Sequence, residues 1–115
     1  MVNIYDTANL LASQIRETEE YKEYQRLNEA ARQDDTNRTL MDEYKRLQYK
    51  MQASLVAGGT MGEDDVKRMQ QIGSLLQFNQ DASAAMLAEF RLQKLIADIY
   101  KIIADAAGID LGALR

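Results

Sequence analysis

The chain has 115 residues, a net charge of −4, and no cysteine, histidine or proline. A length of this order fits one domain, residues 1–115, with room for a core that needs neither disulfides nor metals. The missing side chains exclude a disulfide framework, thiolate zinc sites, a catalytic thiol and an imidazole base.

Helix formers dominate the composition: Ala, Leu, Glu, Gln, Lys, Arg and Met. Runs of β-branched and aromatic residues are few, so the expected fold is all-α. The N-terminal "MVNIYDTANLL" carries Asp6 where a secretory signal has cations, and it lacks a long apolar core. No apolar run is long enough for a membrane span. The expected location is the cytoplasm, with no membrane contact.

The first apolar stripe is Ile4, Ala8, Leu11 and Ile15, at helical spacing. The next set, Tyr21, Tyr24, Leu27 and Ala31, falls on roughly the opposite side of a continuous helix. A straight helix cannot bury both sets in one core, so a break is predicted at Arg16–Thr18. Thr18 is suited to N-cap the second segment, with Glu19 and Glu20 favoured at its positive end. The alternative is one long helix whose ends meet different neighbours.

"RQDDTNRT" (32–39) reads as a turn, with Asp35 or Thr36 opening the next helix. Leu40, Tyr44, Leu47 and Met51 form the stripe of that helix, and Asp42 and Arg46 are spaced for an ion pair. "AGGTMGEDD" (57–65) ends it, with Gly58 or Gly59 in the left-handed position. Val66, Met69, Ile72, Gly73 and Leu76 share a face of the fourth helix. The interior Gly73 costs about 1 kcal/mol against Ala, which a close helix crossing would offset. "FNQDAS" (78–83) is the boundary before the last helix, with Asp81 as its expected N-cap and Gly108 as its end. The expected architecture is an antiparallel bundle of four to five helices.

The last helix carries the strongest apolar signal. Leu92, Leu95, Ile96, Ile99, Ile102 and Ile103 lie within an arc of roughly 120°, the width of an ordinary core face. Ala97, Tyr100, Ala104 and Ala107 widen the apolar side toward roughly 220°. The Leu/Ile set is the expected core of this helix. The Ala/Tyr flank is the expected contact with another subunit or protein. The polar remainder, Arg91, Lys94, Asp98, Lys101 and Asp105, mixes signs, unlike the cationic face of a membrane-surface helix.

No motif for catalysis or cofactor binding is present: no phosphate loop, dinucleotide fingerprint, zinc-protease motif or EF-hand loop. "GGTMGEDD" lacks the lysine of a phosphate cradle and reads as a turn and a helix start. The serines have no histidine base. The expectation is a non-enzyme without cofactor or metal. "EYKRLQYK" (43–50) interleaves Tyr44 and Tyr49 with Lys45, Arg46 and Lys50, a pattern that serves nucleic-acid binding. Tyr44 belongs to the core stripe, however, which leaves a solvated helix face as the simpler alternative.

"NIYDTANLLASQIRETEEYKEY", "DDTNRTLMDEYKRLQYKMQ" and "FNQDASAAMLAEFRLQKLIADIYKIIADAAGID" together resemble the YlbF/YmcA family, small cytoplasmic all-helical proteins of Firmicutes. The resemblance covers nearly the whole chain and is strongest in the last segment, where Ala88 and Glu89 precede the Leu/Ile run. It implies a helical, self-associating regulatory protein that acts through protein partners in competence, sporulation or RNA processing. It supplies no catalytic residues. Some members are associated with cysteine-held iron–sulfur clusters; without cysteine, that cofactor does not carry over, and the chain looks closer to the YheA-type branch. The expected partner is a second copy, as a homodimer or larger assembly, with nucleic acid not bound directly.

Overall fold

A computed structural model describes residues 3–109 of the chain. Five helices follow one another: α1 (Ile4–Arg16), α2 (Glu19–Ala31), α3 (Asp35–Val56), α4 (Glu63–Gln77) and α5 (Gln80–Ala107).

Local chemistry explains the boundaries. Thr18 closes one helix and opens the next. Its hydroxyl donates to the Ile15 carbonyl at 2.6 Å and accepts from the Tyr21 amide at 3.2 Å. The break between the two opposed stripes therefore falls where the sequence predicts it. Asp34 accepts from the Asn37 amide at 2.9 Å and starts α3. At the far end of α3, Gly58 takes φ +80°, Gly58 N–H donates to Leu55 and Gly59 N–H donates to Ser54. This pair of bonds satisfies the last carbonyls of the helix. Gly108 closes α5 in the same way, at φ +69°.

One boundary differs from expectation. Asn79, not Asp81, caps α5, its side chain accepting from the Ala82 amide at 3.0 Å. Both are good cap residues two positions apart, and the winner is the one that leaves Ala82 inside the first turn, facing the core.

The core is small. Leu47, Ile72, Leu76 and Ala82 form its centre, with Leu40, Met41, Tyr44, Met69 and Met86 packed around them. The α3 and α4 stripes thus meet as their spacing requires. These two helices run antiparallel, because Glu43 pairs with Arg68 and Lys50 with Asp65. Gly73 does face α3, but an added Cβ would lie 3.6 Å from the Tyr44 ring, an ordinary contact. A close crossing therefore does not require this glycine. The expected Asp42–Arg46 pair is replaced by a longer-range one: Arg32 reaches Asp42 at 2.7 Å and ties the end of α2 to α3.

The most extensive helix pairing joins α2 and α5. Ala82, Ala85 and Ala88 are buried along α5, as is Ala31 of α2. Small side chains at such positions let helix axes approach closely. The assembled helices are flat and long, 51 × 36 × 16 Å.

Candidate interaction surface

The α5 helix decides which surface is open. Its 28 residues span about 42 Å, whereas the 13 residues of α2 span about 20 Å. A partner of that length covers half of α5 at most. The buried side chains concentrate in the first half of α5: Ala82, Ala85, Ala88 and Leu92. Leu95 and Ile99 are half-buried. Beyond them the same stripe continues into solvent. Ile96 is 43% exposed, Ile103 54% and Ile102 69%.

This corrects the expected division of the helix. Ile96, Ile102 and Ile103 share the arc of Leu92, but they are not core residues of the single chain. The helical period identifies the apolar face; it carries no information about where the neighbouring helix stops. The expected flank also divides. Ala97, Tyr100 and Ala107 are exposed, whereas Ala104 is buried. The helix closes beside it, where the Ile109 amide donates to the Ala104 carbonyl at 3.2 Å. The open surface of α5 is therefore Ile96, Tyr100, Ile102 and Ile103, with Ala97 and Ala107 beside it.

Its polar edge is internally neutralised. Lys94 pairs with Asp98 at 3.2 Å and Lys101 with Asp105 at 2.8 Å. Such exposed pairs contribute little stability, but they leave no net charge to draw an anionic membrane. No helix among the described residues is long and apolar enough to cross one.

A second exposed apolar group was not anticipated. Leu75 and Phe78 at the end of α4, and Leu87 and Phe90 on α5, are all exposed. Phe78 sits just before the cap residue Asn79, in a segment whose polar neighbours masked it.

In the basic stretch of α3, Lys50 has an acidic partner on α4, Asp65 at 2.6 Å. Arg68 holds the Glu43 carboxylate by two bonds, at 2.6 and 3.0 Å, and reaches Gln71 as well. Tyr44 is half-buried against the core, while Tyr49 is exposed.

The Arg68 hydrogen bonds hold the Glu43 carboxyl below its ordinary value, and the charges of Arg68 and Arg46 add to the effect against some desolvation. The folded carboxyl is the stronger acid. The pair's contribution is therefore complete above the ordinary value of 4.5 and is lost as pH falls through the lower folded value. Arg68→Met is expected to move the Glu43 titration back up toward the ordinary carboxylate range. Carboxyl-detected NMR titration checks this; an unchanged Glu43 midpoint would show that Arg68 does not hold it.

An open groove is lined by Tyr21, Gln25, Glu29, Gln33 and Arg38. The cleft between Tyr24, Asn28, Tyr44 and Met86 measures about 40 Å³, space for about one water. Among the described residues no cluster of three or more acidic side chains is placed to hold a metal ion.

Comparison with known proteins agrees with this all-helical arrangement. The family model described as "Control of competence regulator ComK, YlbF/YmcA" matches residues 4–107. A UPF0342 protein of Caldicellulosiruptor bescii is 32% identical over 106 residues, covering 92% of this chain and 89% of the relative. A UPF0342 protein of Lysinibacillus sphaericus is 30% identical over 103 residues, 90% of each. Among solved structures, a protein of unknown function (DUF964) from Bacillus stearothermophilus superposes with a TM-score of 0.72 at 21% identity. The superposition covers 91% of this chain and 92% of that one. Bacillus subtilis RicA, solved in complex with RicF, superposes with a TM-score of 0.59 at 18% identity, over 91% and 93%. These two share the fold. With its helices matched from the first to the last, the chain belongs to the YlbF/YmcA family.

Proposed function

We propose that this protein is a non-enzymatic regulatory or adaptor protein of the cytoplasm that works through protein–protein contacts, self-association among them. The observation that carries this is the open apolar surface on the second half of α5, where Ile102 is 69% and Ile103 54% exposed. Contiguous apolar surface of this kind marks an interaction site. The family is described by control of competence, and its structural neighbour RicA was solved bound to RicF. Both support a role in assembling or modulating a complex, in the control of competence, sporulation or RNA processing that the family resemblance implies. The non-enzymatic reading is supported by a chain with no histidine or cysteine to act as base or nucleophile.

The test is the association state of the full chain. Light scattering at micromolar concentration is expected to find a dimer or larger species. Ile102→Glu with Ile103→Glu is expected to give a monomer of unchanged helicity by circular dichroism. A wild-type monomer across the micromolar range would overturn self-association. A double variant that remains folded and fully associated would remove α5 from the surface.

A further inference from the structure

Consecutive helices of this chain pack on different neighbours. α2 lies with α5 and α3 with α4, while α2 and α3 form no substantial contact with each other among the described residues. They are tied where the chain turns from one to the other, by Arg32 and Asp42. Between them runs a groove. Its open part is lined by Tyr21, Gln25 and Gln33 of α2 with Arg38 of α3. Its narrow part is lined by Tyr44, Lys45 and Gln48 of α3, with Leu76 and Met86. Tyr24, Asn28 and Arg32 line both parts, so the groove is continuous. From Tyr21 to Arg32 it follows α2 for about 17 Å, the span of about five residues of extended chain.

Four of the lining side chains are amides: Gln25, Asn28, Gln33 and Gln48. Each offers an N–H donor and a carbonyl acceptor, the two groups that a peptide bond also presents. Among the described residues, none of the four uses its side chain in a hydrogen bond within the chain. Two cations stand with them. Lys45 pairs with no carboxylate among the described residues. Arg32 donates from one nitrogen to Asp42 at 2.7 Å, which fixes the guanidinium and leaves its other N–H groups for a ligand. Met41 and Met86 flank the narrow part, and their unbranched side chains can shift to admit a small apolar group.

We infer that this groove binds an extended peptide segment of a partner protein. The amides hydrogen-bond its main chain, and Lys45 and Arg32 hold one Asp or Glu side chain by charge-assisted bonds. A nucleic acid fits less well. Glu29 and Glu89 line the groove, and Asp35 and Asp42 pair with its arginines, so a run of phosphates would meet four carboxylates. A single carboxylate beside Lys45 avoids that repulsion. This occupant presupposes the adaptor role proposed above and gives it a surface separate from the exposed second half of α5.

The experiment uses the full chain and three pools of degenerate peptides, a few residues longer than the groove, with the central residue fixed as Glu, Gln or Lys. Fluorescence anisotropy measures binding, nitrogen-15 NMR maps it, and an oligouridine RNA is titrated alongside. The Glu pool is expected to bind tightest, with shifts centred on Asn28, Lys45 and Gln48. Lys45→Glu is expected to weaken the Glu pool at least about tenfold and to make the Lys pool the preferred one, a reversal that loss of structure would not produce. Equal binding of the three pools, shifts centred on residues 95–107, or no binding at millimolar peptide would overturn the proposal. RNA binding without peptide binding would assign the groove to nucleic acid and overturn it too. Light scattering on the same samples separates the two readings: a wild type that associates but binds no pool loses the groove and keeps the self-associating adaptor.

Discussion

Leu76→Ala is expected to lower the unfolding free energy by about 2–5 kcal/mol, the range for truncating a large aliphatic side chain in a packed core. Leu76 is 1% exposed and sits between Leu47 of α3 and Ala82 of α5, so its loss opens a void where three helices meet. The centre of the core holds few large side chains. Leu47, Ile72 and Leu76 are the largest that are fully buried. Domains of this kind have a net stability of only about 5–15 kcal/mol, so one such truncation removes a large share. Urea denaturation followed by circular dichroism measures it, with the midpoint falling at constant slope. A loss below 1 kcal/mol would mean that the helices close over the vacancy.

Ala88→Leu tests the other half of the fold. Ala88 is 3% exposed on α5, whose most extensive partner is α2. Adding three carbons there is expected to cost about 1–3 kcal/mol by forcing neighbours apart. Ala97→Leu provides the control. It lies on the same helix, exposed, and is expected to change stability by less than about 0.5 kcal/mol. Denaturation of the two variants separates these cases, and hydrogen exchange locates the damage, expected in α2 before α3. Equal stabilities would show that the buried alanines do not set the helix spacing.

Much of this was readable from short-range chemistry. Thr18 sits between two stripes that no straight helix could bury together, and it is a good cap, so the break was legible. Gly58 and Gly108 stand where apolar periodicity stops, and both take the left-handed conformation that ends a helix. The α3 and α4 stripes meet because each has a face of ordinary width. Asn79 against Asp81 was not legible, since cap preference alone does not separate them. Nor was the exchange of Arg46 for Arg32 as the partner of Asp42, because Arg32 arrives from another helix.

The candidate surface divides along the same line. Its residues were all visible on a helical wheel, because a stripe is a property of spacing within one helix. Their roles were not, because burial depends on the length and direction of a second helix. The sequence alone established four to five helices, an acidic chain without histidine or cysteine chemistry, and an apolar face on the last helix from Leu92 to Ile103. Tertiary structure assigned that face to two uses. It is core at Ala85, Ala88 and Leu92, on the helix that pairs most extensively with α2, and open surface where Ile102 and Ile103 meet solvent. The physical reason is a mismatch of about 20 Å between the two helices, which local periodicity cannot encode.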